Sequence, residues 1–327
     1  MALPSRPSAD NPATPLKLGV SSCLLGAKVR YDGGHKLDKF LRDTLGRFAE
    51  FVPVCPEVES GLPVPRPSLR LVGDPASPRL VFPKTGRDHT AAMQTWARSR
   101  LDELADADLC GFVFKSRSPS SGMERVKVYP EGGGAPANKG VGVFARAFMD
   151  RFPELPVEEE GRLNDPRLRE NFIERIFVMK RWRDMLSHGF DRGALVDFHT
   201  RHKSLLLSHS VERYRELGRI TAHGPLDLDA LRAAYSAKLS EAMRLPPTVK
   251  KHVNVLMHML GHFKKDIESD EKQELLEIID DFHKGLTPLI VPVTLLAHLA
   301  RKYEKQRLLE QHYLKPHPLE LKLRNHA

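Results

Sequence analysis

The stretch LKLGVSSCLLG, residues 16–26, joins a short apolar run to a polar end and a cysteine. Leu16–Val20 has the length and apolar content of a buried β-strand, and it stops at a pair of serines. Two more apolar runs of strand length, Phe51–Val54 and Leu109–Phe114, end in the same way at polar or reactive residues. The sequence therefore predicts three strands that each lead into residues able to carry chemistry.

Helical patterns separate these strands. Apolar residues recur at helical spacing in Lys36–Glu50 and in Thr90–Leu104, and Val143–Arg151 is amphipathic. Strands that alternate with helices predict an α/β fold with a mainly parallel sheet and flanking helices. Because ligands collect at the carboxyl ends of the strands in such sheets, we expect the residues after the three strands to meet at one edge.

From Asp165 onward the pattern is almost wholly helical. Asp165 and Pro166 form an N-cap and first-turn pair for a long helix that reaches Trp182. Further helices are predicted over 194–206, 208–220, 227–243, 247–265, 269–284 and 290–312. The predicted organisation is a disordered lead-in (1–15), an α/β domain (16–163), a connecting helix (164–190) and an all-α helical domain (191–327).

The composition limits the class of protein. A chain of 327 residues with 41% hydrophobic and 28% charged residues is typical of a soluble protein with two domains. No run approaches the ~20 apolar residues of a membrane helix, and the N-terminus lacks a signal-peptide core, which favours the cytoplasm. Three cysteines are too few for a disulfide framework. The net charge of +9 favours an anionic partner such as nucleic acid.

Two cysteines, Cys23 and Cys55, lie just past predicted strands. Loops on a rigid sheet suit metal ligation, but lone cysteines are commonly small core residues and no C-x-x-C spacing occurs, so both interpretations stay open. If the loops converge, nearby basic residues would make an electropositive pocket around the carboxylate of Glu57; otherwise they are exposed loop residues. These basic residues are Lys28, Arg30, Arg66, Lys115 and Arg117.

The helical half carries a second cluster of charge. His199 and His202 have the i, i+3 spacing of a metal-ligand pair, although no carboxylate or cysteine completes the set. Basic residues at helical spacing can follow an RNA backbone, and the alternative is a solvated helix face. The candidate RNA-binding residues are Arg201, His202, Lys203, Arg213, Arg215, Lys250 and Lys251.

Three motifs together resemble the DUF523 family of thiouracil desulfidases. They are SSCLLG with VRYDG (21–26 and 29–33), VCPE with GLPVPR (54–57 and 61–66), and KSRSPSSG (115–122). The stretch DFHTRHKS (197–204), continuing through Tyr214, resembles the DUF1722 domain. The resemblances cover roughly residues 16–320, and the two-domain combination is similar to desulfidases that act on 4-thiouridine in transfer RNA.

The resemblance implies a 4Fe-4S cluster held by three cysteines, with one iron open to a thiocarbonyl sulfur. In this sequence it assigns Cys23 and Cys55 as ligands, while Ser121 stands where the family has its third cysteine. It further implies that Glu57 transfers protons and that Ser118 positions the substrate or water. Weaker candidates for substrate contacts are Arg30, Tyr31, Arg66, Lys115 and Arg117.

Position 121 leaves three alternatives open. In the first, Ser121 ligates a labile cluster through its hard oxygen. In the second, Cys110 serves as the third ligand instead of Ser121. In the third, the protein binds substrate without turnover. Cys110 begins the strand that ends near Lys115, and at ~3.3 Å per residue it is too far away unless the chain folds back. We therefore expect weakened cluster binding.

The resemblance favours a tRNA 4-thiouridine desulfidase whose partners are tRNA and a thiolated uracil nucleotide. One alternative is a desulfidase for free thiouracil or thiouridine monophosphate, in which the second domain serves stability or dimerisation. The other is a non-catalytic RNA-binding protein that has lost its cofactor.

Overall fold

The structure, a computed structural model, describes residues 15–325. The predicted disordered lead-in lies, apart from Pro15, outside the described residues. The described residues divide into two compact units, 15–161 with Met179–Asp184 and Arg162–Val178 with 185–325. Within the described range, every helix is too short or too polar to cross a bilayer.

The first unit is built from strands and helices. Its described residues form eight strands: β1 (Leu16–Ser21), β2 (Ala49–Val54), β3 (Arg70–Val72), β4 (Arg79–Val81), β5 (Phe112–Phe114), β6 (Val126–Tyr129), β7 (Ala137–Gly140) and β8 (Val157–Glu159). Its α-helices are α1 (Pro56–Glu59), α2 (Thr90–Ala105) and α3 (Val143–Arg151). The helices predicted over Thr90–Leu104 and Val143–Arg151 are thus confirmed.

One four-stranded sheet has the order β2-β1-β5-β8, and all its pairings are parallel. The prediction of a mainly parallel sheet is confirmed here. The register places Ser21 beside Val54 and Val20 beside Val113, so the carboxyl ends of three strands are level. β1 packs so closely that a Cβ on Gly19 would lie 2.1 Å from the ring of Phe112, which only glycine avoids.

A second sheet has the order β4-β3-β6-β7, with β3 parallel to β6 and the outer pairs antiparallel. It packs over a small apolar core that includes Leu71, Leu80, Met93 and Val128. The sequence does not predict this sheet, because its strands are only three or four residues long and too short to show a periodic pattern.

The helix predicted over Lys36–Glu50 is wrong. Two short helical turns, Phe40–Thr44 and Leu45–Arg47, are followed at once by β2, which begins at Ala49. The end of the predicted helix instead pairs with β1, because Ala49 lies opposite Leu16 in the parallel ladder. Strand pairing therefore overrides the local apolar spacing in this segment.

The second half of the chain is all-α, as predicted. Its helices are α4 (Pro166–Ser187), α5 (Arg192–His209), α6 (Val211–His223), α7 (Leu228–Arg244), α8 (Val249–Leu260), α9 (Ser269–His283), α10 (Ile290–Lys302) and α11 (Gln306–Leu309). Asp165 accepts hydrogen bonds from the backbone of Arg167 (2.9 Å) and Leu168 (3.0 Å), which confirms the predicted N-cap. The helix predicted over 290–312 ends early, at Lys302.

A buried charge network lies inside the helical unit. Arg324 donates to Glu174 (2.6 Å) and to the carbonyl of Tyr313 (2.6 Å), and its side chain is 2% exposed. The Glu174 carboxylate also contacts His209 Nε2 at 3.2 Å, and the Arg324 guanidinium holds the pKa of that carboxyl well below its usual range against the effect of burial. The network ties the end of the described chain to α4 and α5.

Replacing Arg324 by alanine is expected to lower the free energy of unfolding by about 3–5 kcal/mol, because it leaves the buried Glu174 carboxylate without its partner. Urea unfolding followed by far-UV circular dichroism measures the loss. Arg219→Ala is the control, since Arg219 is exposed on α6 and its loss is expected to cost less than about 0.5 kcal/mol. Equal losses in the two variants would show that the network does not stabilise the unit.

Candidate functional site

Three loops follow the carboxyl ends of adjacent strands in the parallel sheet. Cys23 lies two residues after β1, Cys55 directly follows β2, and the loop 115–122 directly follows β5. The backbone N–H of Lys115 donates to Ser21 Oγ at 2.9 Å, which ties the third loop to the first. The predicted convergence of these segments at one sheet edge is therefore present in the structure.

A tight turn fixes Cys23. Residues Ser22–Leu25 form a single 3-10 turn that ends at Gly26 in the left-handed region (φ 94°). The carbonyl of Cys23 accepts hydrogen bonds from Gly26 (3.3 Å) and Lys36 (2.9 Å). The thiol is held on a backbone with little freedom.

Cys55 occupies the N-cap position of the one-turn helix α1. Pro56 supplies the first helical residue, and Glu59 Oε1 accepts the backbone N–H of Cys55 at 2.7 Å. Arg100 pairs with the same carboxylate at 3.3 Å. The position of Cys55 thus depends on a cap supplied by its own helix.

Both thiols are buried in a charged environment. Burial raises the pKa of Cys23 to about 11, although Lys115 opposes the shift. Burial and the neighbouring Glu57 carboxylate raise the pKa of Cys55 to about 12, and the Cys23 thiolate adds to this. A metal that binds both thiols must displace a proton from each.

A chain of hydroxyls leads from the third loop to Glu57. Ser120 Oγ lies 2.7 Å from Glu57 Oε1 and 3.0 Å from Ser118 Oγ. Ser121 Oγ lies 3.4 Å from Ser120 Oγ, and Glu57 Oε2 lies 3.8 Å from Cys55 Sγ. Glu57, the serines and Cys55 consequently form one continuous set of polar contacts.

The start of α3 holds the third loop in place. The backbone of Phe144 donates to the carbonyl of Ser120 at 2.9 Å, and Gly142 donates to Gly122 at 2.7 Å. A Cβ on Gly142 would lie 2.5 Å from backbone atoms of Ser120, so this close approach requires glycine. The loop that carries Ser118, Ser120 and Ser121 is therefore rigidly seated.

The predicted substrate-contact residues differ in their surroundings. Arg66 is buried and donates to the carbonyls of Pro63 (3.2 Å) and Val29 (3.1 Å), so it braces two loops. Lys115 is paired with Glu160. Arg30 stacks over the exposed ring of Tyr31, with 5.4 Å between guanidinium and ring centre. Arg117 is exposed.

Two residues that shape the site, Ser120 and Glu160, were not indicated by the sequence. Glu160 Oε2 accepts the backbone N–H of Ser116 at 2.7 Å, and its other oxygen pairs with Lys115. The acidic run at 158–160 gave no sign of this, because such a run is usually solvated. Nothing else in the sequence around Glu160 indicated this contact.

Cys110 lies away from the site. Its backbone N–H donates to Lys17 at 2.8 Å, before β5 begins, whereas the site follows the end of that strand. Its thiol is buried, and burial raises its pKa to about 11. The structure therefore offers no folded-back chain that would bring Cys110 to the other two cysteines.

The donor set fits two of the protein ligands of an iron–sulfur cluster. Cys23 and Cys55 supply the soft thiols that iron–sulfur clusters take, and Ser121 adds a buried hydroxyl. Among residues 15–325 no group of three His, Cys, Asp or Glu side chains has the arrangement of a metal site. A cluster here would thus depend on two strong donors and one weak one.

A basic groove of about 510 Å³ lies within the helical unit, between α5, α6 and α8. Four basic side chains line it together with the aromatic ring of Tyr214: Lys203, Arg215, Lys250 and Lys251. In the described part of the chain, no carboxylate forms an ion pair with Lys203, Arg215 or Lys250. Lys251 donates a hydrogen bond to the carbonyl of His209 at 2.6 Å. The groove is therefore a concentration of uncompensated positive charge.

The other predicted RNA-binding residues lie elsewhere. Arg201 pairs with Asp197 at 2.9 Å, and Arg213 pairs with Glu216 at 2.7 Å. His202 is 1% exposed and its Nδ1 donates to the carbonyl of Phe198 at 2.7 Å. Four of the seven predicted residues thus share the groove, and three do not line it.

The His199 and His202 pair does not form a metal site. His199 Nδ1 bonds to the hydroxyl of Tyr235 at 3.0 Å, while His202 turns to its own helix backbone. Burial lowers the pKa of His199 to about 4, so the ring is neutral at physiological pH. Its partners are those of a packed helix interior.

The chain resembles known proteins in both halves. The family model described as 2-thiouracil desulfurase matches residues 18–160, and the model described as Protein of unknown function (DUF1722) matches residues 203–318. "Uncharacterized protein YbgA" of Escherichia coli (strain K12) is 33% identical over 165 residues, which span 50% of this chain and 98% of YbgA. "Uncharacterized protein YbbK" of Bacillus subtilis (strain 168) is 28% identical over 108 residues, spanning 32% of this chain and 71% of YbbK.

One solved structure is also similar. The 4Fe-4S-dependent thiouracil desulfidase TudS (DUF523Vcz) is 32% identical, and the match covers 46% of this chain and 94% of that chain with a TM-score of 0.36. The family matches and YbgA carry the assignment. The chain therefore carries a 2-thiouracil desulfurase domain followed by a DUF1722 domain, and it belongs to the same family as YbgA.

Proposed function

We propose that this protein is a cytoplasmic enzyme that removes sulfur from 4-thiouridine in transfer RNA and yields uridine and hydrosulfide. The observation that carries the proposal is the meeting of Cys23, Cys55 and Glu57 at one sheet edge, inside the part of the chain that matches 2-thiouracil desulfurase. The net reaction is a hydrolysis: water replaces sulfur on carbon, and no electrons are exchanged.

We assign a 4Fe-4S cluster to Cys23, Cys55 and Ser121, which would hold it through two thiolates and one oxygen. When bound, such a cluster supplies a Lewis-acidic iron with affinity for thiocarbonyl sulfur. Cys23 and Cys55 follow adjacent strands of one sheet, which supports this assignment, whereas the oxygen of Ser121 is a harder donor than a thiolate.

The chain itself supplies the proton chemistry. Glu57 is the partly buried carboxylate beside the thiols, and it takes a proton from the attacking water. Arg66 Nη2 lies 3.6 Å from Glu57 Oε2, so the carboxylate has a cationic neighbour. The hydroxyl of Ser118 lies on the same polar chain and orients the substrate or the water.

The basic groove supports RNA as the substrate. Lys203, Arg215 and Lys250 carry charge that no carboxylate within residues 15–325 offsets, and a phosphate backbone would satisfy it. Tyr214 adds a ring on which a base can stack. A mononucleotide substrate would leave this surface without a role.

The double variant Lys203→Gln/Arg215→Gln is expected to bind thiolated tRNA at least about tenfold more weakly at 0.1 M salt. The slope of log affinity against log salt should become shallower by about 1.5, because two phosphate contacts are lost. Filter binding at several salt concentrations measures both quantities.

The matched control is Arg201→Gln/Arg213→Gln. It removes the same charge from residues that are already ion-paired outside the groove, and it should change affinity by less than about threefold. Equal losses in the two double variants would mean that total charge, and not the groove, drives binding.

The description of the first family model favours a second candidate substrate, free thiouracil. The tRNA substrate and the free substrate are distinguished by comparing kcat/KM for 4-thiouridine tRNA with kcat/KM for 2-thiouracil and thiouridine monophosphate. A preference for the free compounds would move the assignment to the second candidate and leave the sulfur chemistry intact.

A further inference from the structure

Ser120 is a polar side chain with no solvent exposure at the centre of the site. The proposed reaction gives it no role, since Glu57 and Ser118 account for proton transfer and substrate orientation. Its hydroxyl nevertheless lies 2.7 Å from Glu57 Oε1 and 3.0 Å from Ser118 Oγ. A fully buried hydroxyl between two working groups needs a physical account.

The direction of these hydrogen bonds follows from the donors present. The Ser120 hydroxyl donates its one proton to Glu57 Oε1 at 2.7 Å. Ser120 then accepts from Ser118. The Ser118 oxygen already accepts the backbone N–H groups of Ser120 (3.3 Å) and Ser121 (3.2 Å), which leaves its own hydroxyl proton for Ser120. The result is a directed chain from Ser118 through Ser120 to Glu57.

Glu57 has no other partner as short within the described range. Arg66 Nη2 stands 3.6 Å from Oε2, and Cys55 Sγ stands 3.8 Å from the same oxygen. The side chain sits on the one-turn helix α1 and has several rotatable bonds. The Ser120 hydroxyl is therefore the contact that selects one rotamer of Glu57.

Ser120 is well anchored for this task. Its carbonyl accepts the N–H groups of Phe144 (2.9 Å) and Ala145 (3.1 Å) at the start of α3. Gly142 packs directly against its backbone. The backbone that carries the Ser120 hydroxyl is therefore fixed, whereas the Glu57 carboxylate lies at the end of a flexible side chain.

We propose that Ser120 is a positioning residue that holds the Glu57 carboxylate in its working orientation and couples it to the Ser118 hydroxyl. The expected effect of Ser120 on turnover rests on the proposed function. The expected effect of Ser120 on the orientation of Glu57 rests on the geometry alone.

Kinetics test the effect on turnover. Ser120→Ala should lower kcat for desulfidation about 10-fold to 100-fold, with KM unchanged within about twofold, because a misplaced group costs rate more than binding. In a double-mutant cycle, adding Ser120→Ala to Glu57→Gln should cost less than about twofold more, since Ser120 acts through Glu57. Additive losses, or a rise in KM with kcat unchanged, would overturn the role.

Crystal structures of the wild type and Ser120→Ala test the orientation without any need for activity. We expect the Glu57 side chain to leave its wild-type rotamer in the variant, while the protein stays folded and its iron content stays the same. A Glu57 that keeps its position would overturn the proposal. If the variant does not fold, the wild-type crystal structure provides the test. A distance above about 3.5 Å between Ser120 Oγ and Glu57 Oε1 would overturn the proposal.

These readouts separate the two proposals. A wild-type protein that turns over neither thiolated tRNA nor thiouracil would count against the proposed function, and the crystallographic comparison would still decide what Ser120 does.

Discussion

Anaerobically reconstituted Ser121→Cys protein is expected to hold about four irons per chain, and its cluster should dissociate at least about tenfold more slowly than that of the wild type. The wild type offers two thiols and a hydroxyl, and serine oxygen is a harder and more basic donor than sulfur. Ser121 is 3% exposed and sits beside the residue that contacts Glu57, so a thiol at this position would face the same pocket.

Iron and acid-labile sulfide analysis, with visible absorption spectra recorded over hours under anaerobic conditions, measures this result. Desulfidation of thiolated tRNA should rise in parallel with cluster content. The measurement of iron does not depend on turnover, so it tests the ligand assignment by itself.

Two controls define the outcome. Ser116→Cys places a thiol on the same loop at a residue whose hydroxyl contacts Glu160 at 2.8 Å, and it should not increase iron content. Cys110→Ser should also leave iron content unchanged, because Cys110 precedes β5 at the far end of the strand. Equal cluster content in Ser121→Cys and wild type would show that residue 121 is not a ligand, and loss of iron in Cys110→Ser would reinstate Cys110.

The strands that carry the site could be predicted because each is a mainly apolar run that stops at a polar or reactive residue. Leu16–Val20 and Phe51–Val54 are of this kind, and parallel pairing then brings Cys23 and Cys55 together. The second sheet could not be predicted, since strands such as Arg70–Val72 are set by their neighbours and not by their own pattern.

Contacts between distant segments were beyond the reach of the sequence. Nothing local to Ser120 indicates that it meets Glu57, 63 residues away, and the hydrogen bond from the Ser116 backbone to the Glu160 carboxylate is equally non-local.

The charge pairing of the helical unit could be predicted in part. Arg201 follows Asp197 by four residues, which is the spacing of a helical ion pair. Lys203 has a histidine four residues before it and not a carboxylate, so the spacing predicts an ion pair for Arg201 and none for Lys203.

Replacing Glu57 by glutamine is expected to lower kcat about 10²-fold to 10⁴-fold, because the amide cannot take a proton from the attacking water. Glutamine keeps the shape of the side chain and can still accept the Ser120 hydroxyl, so folding, iron content and tRNA affinity should be preserved. Single-turnover loss of the thiocarbonyl absorption of 4-thiouridine tRNA measures the effect, in the Ser121→Cys background where the cluster is more stable.

Glu59→Gln provides the matched control on the same helix turn. The Glu59 carboxylate accepts the backbone N–H of Cys55 at 2.7 Å and pairs with Arg100. The amide oxygen of glutamine can still accept that N–H, so the variant removes a charge from α1 but keeps the cap that positions Cys55. We expect kcat to change by less than about threefold in this variant. If both glutamine variants lose the same activity, the carboxylates matter for the fold of α1. If neither does, another group must accept the proton, and the chain from Ser118 through Ser120 would then lead to a carboxylate without a catalytic role.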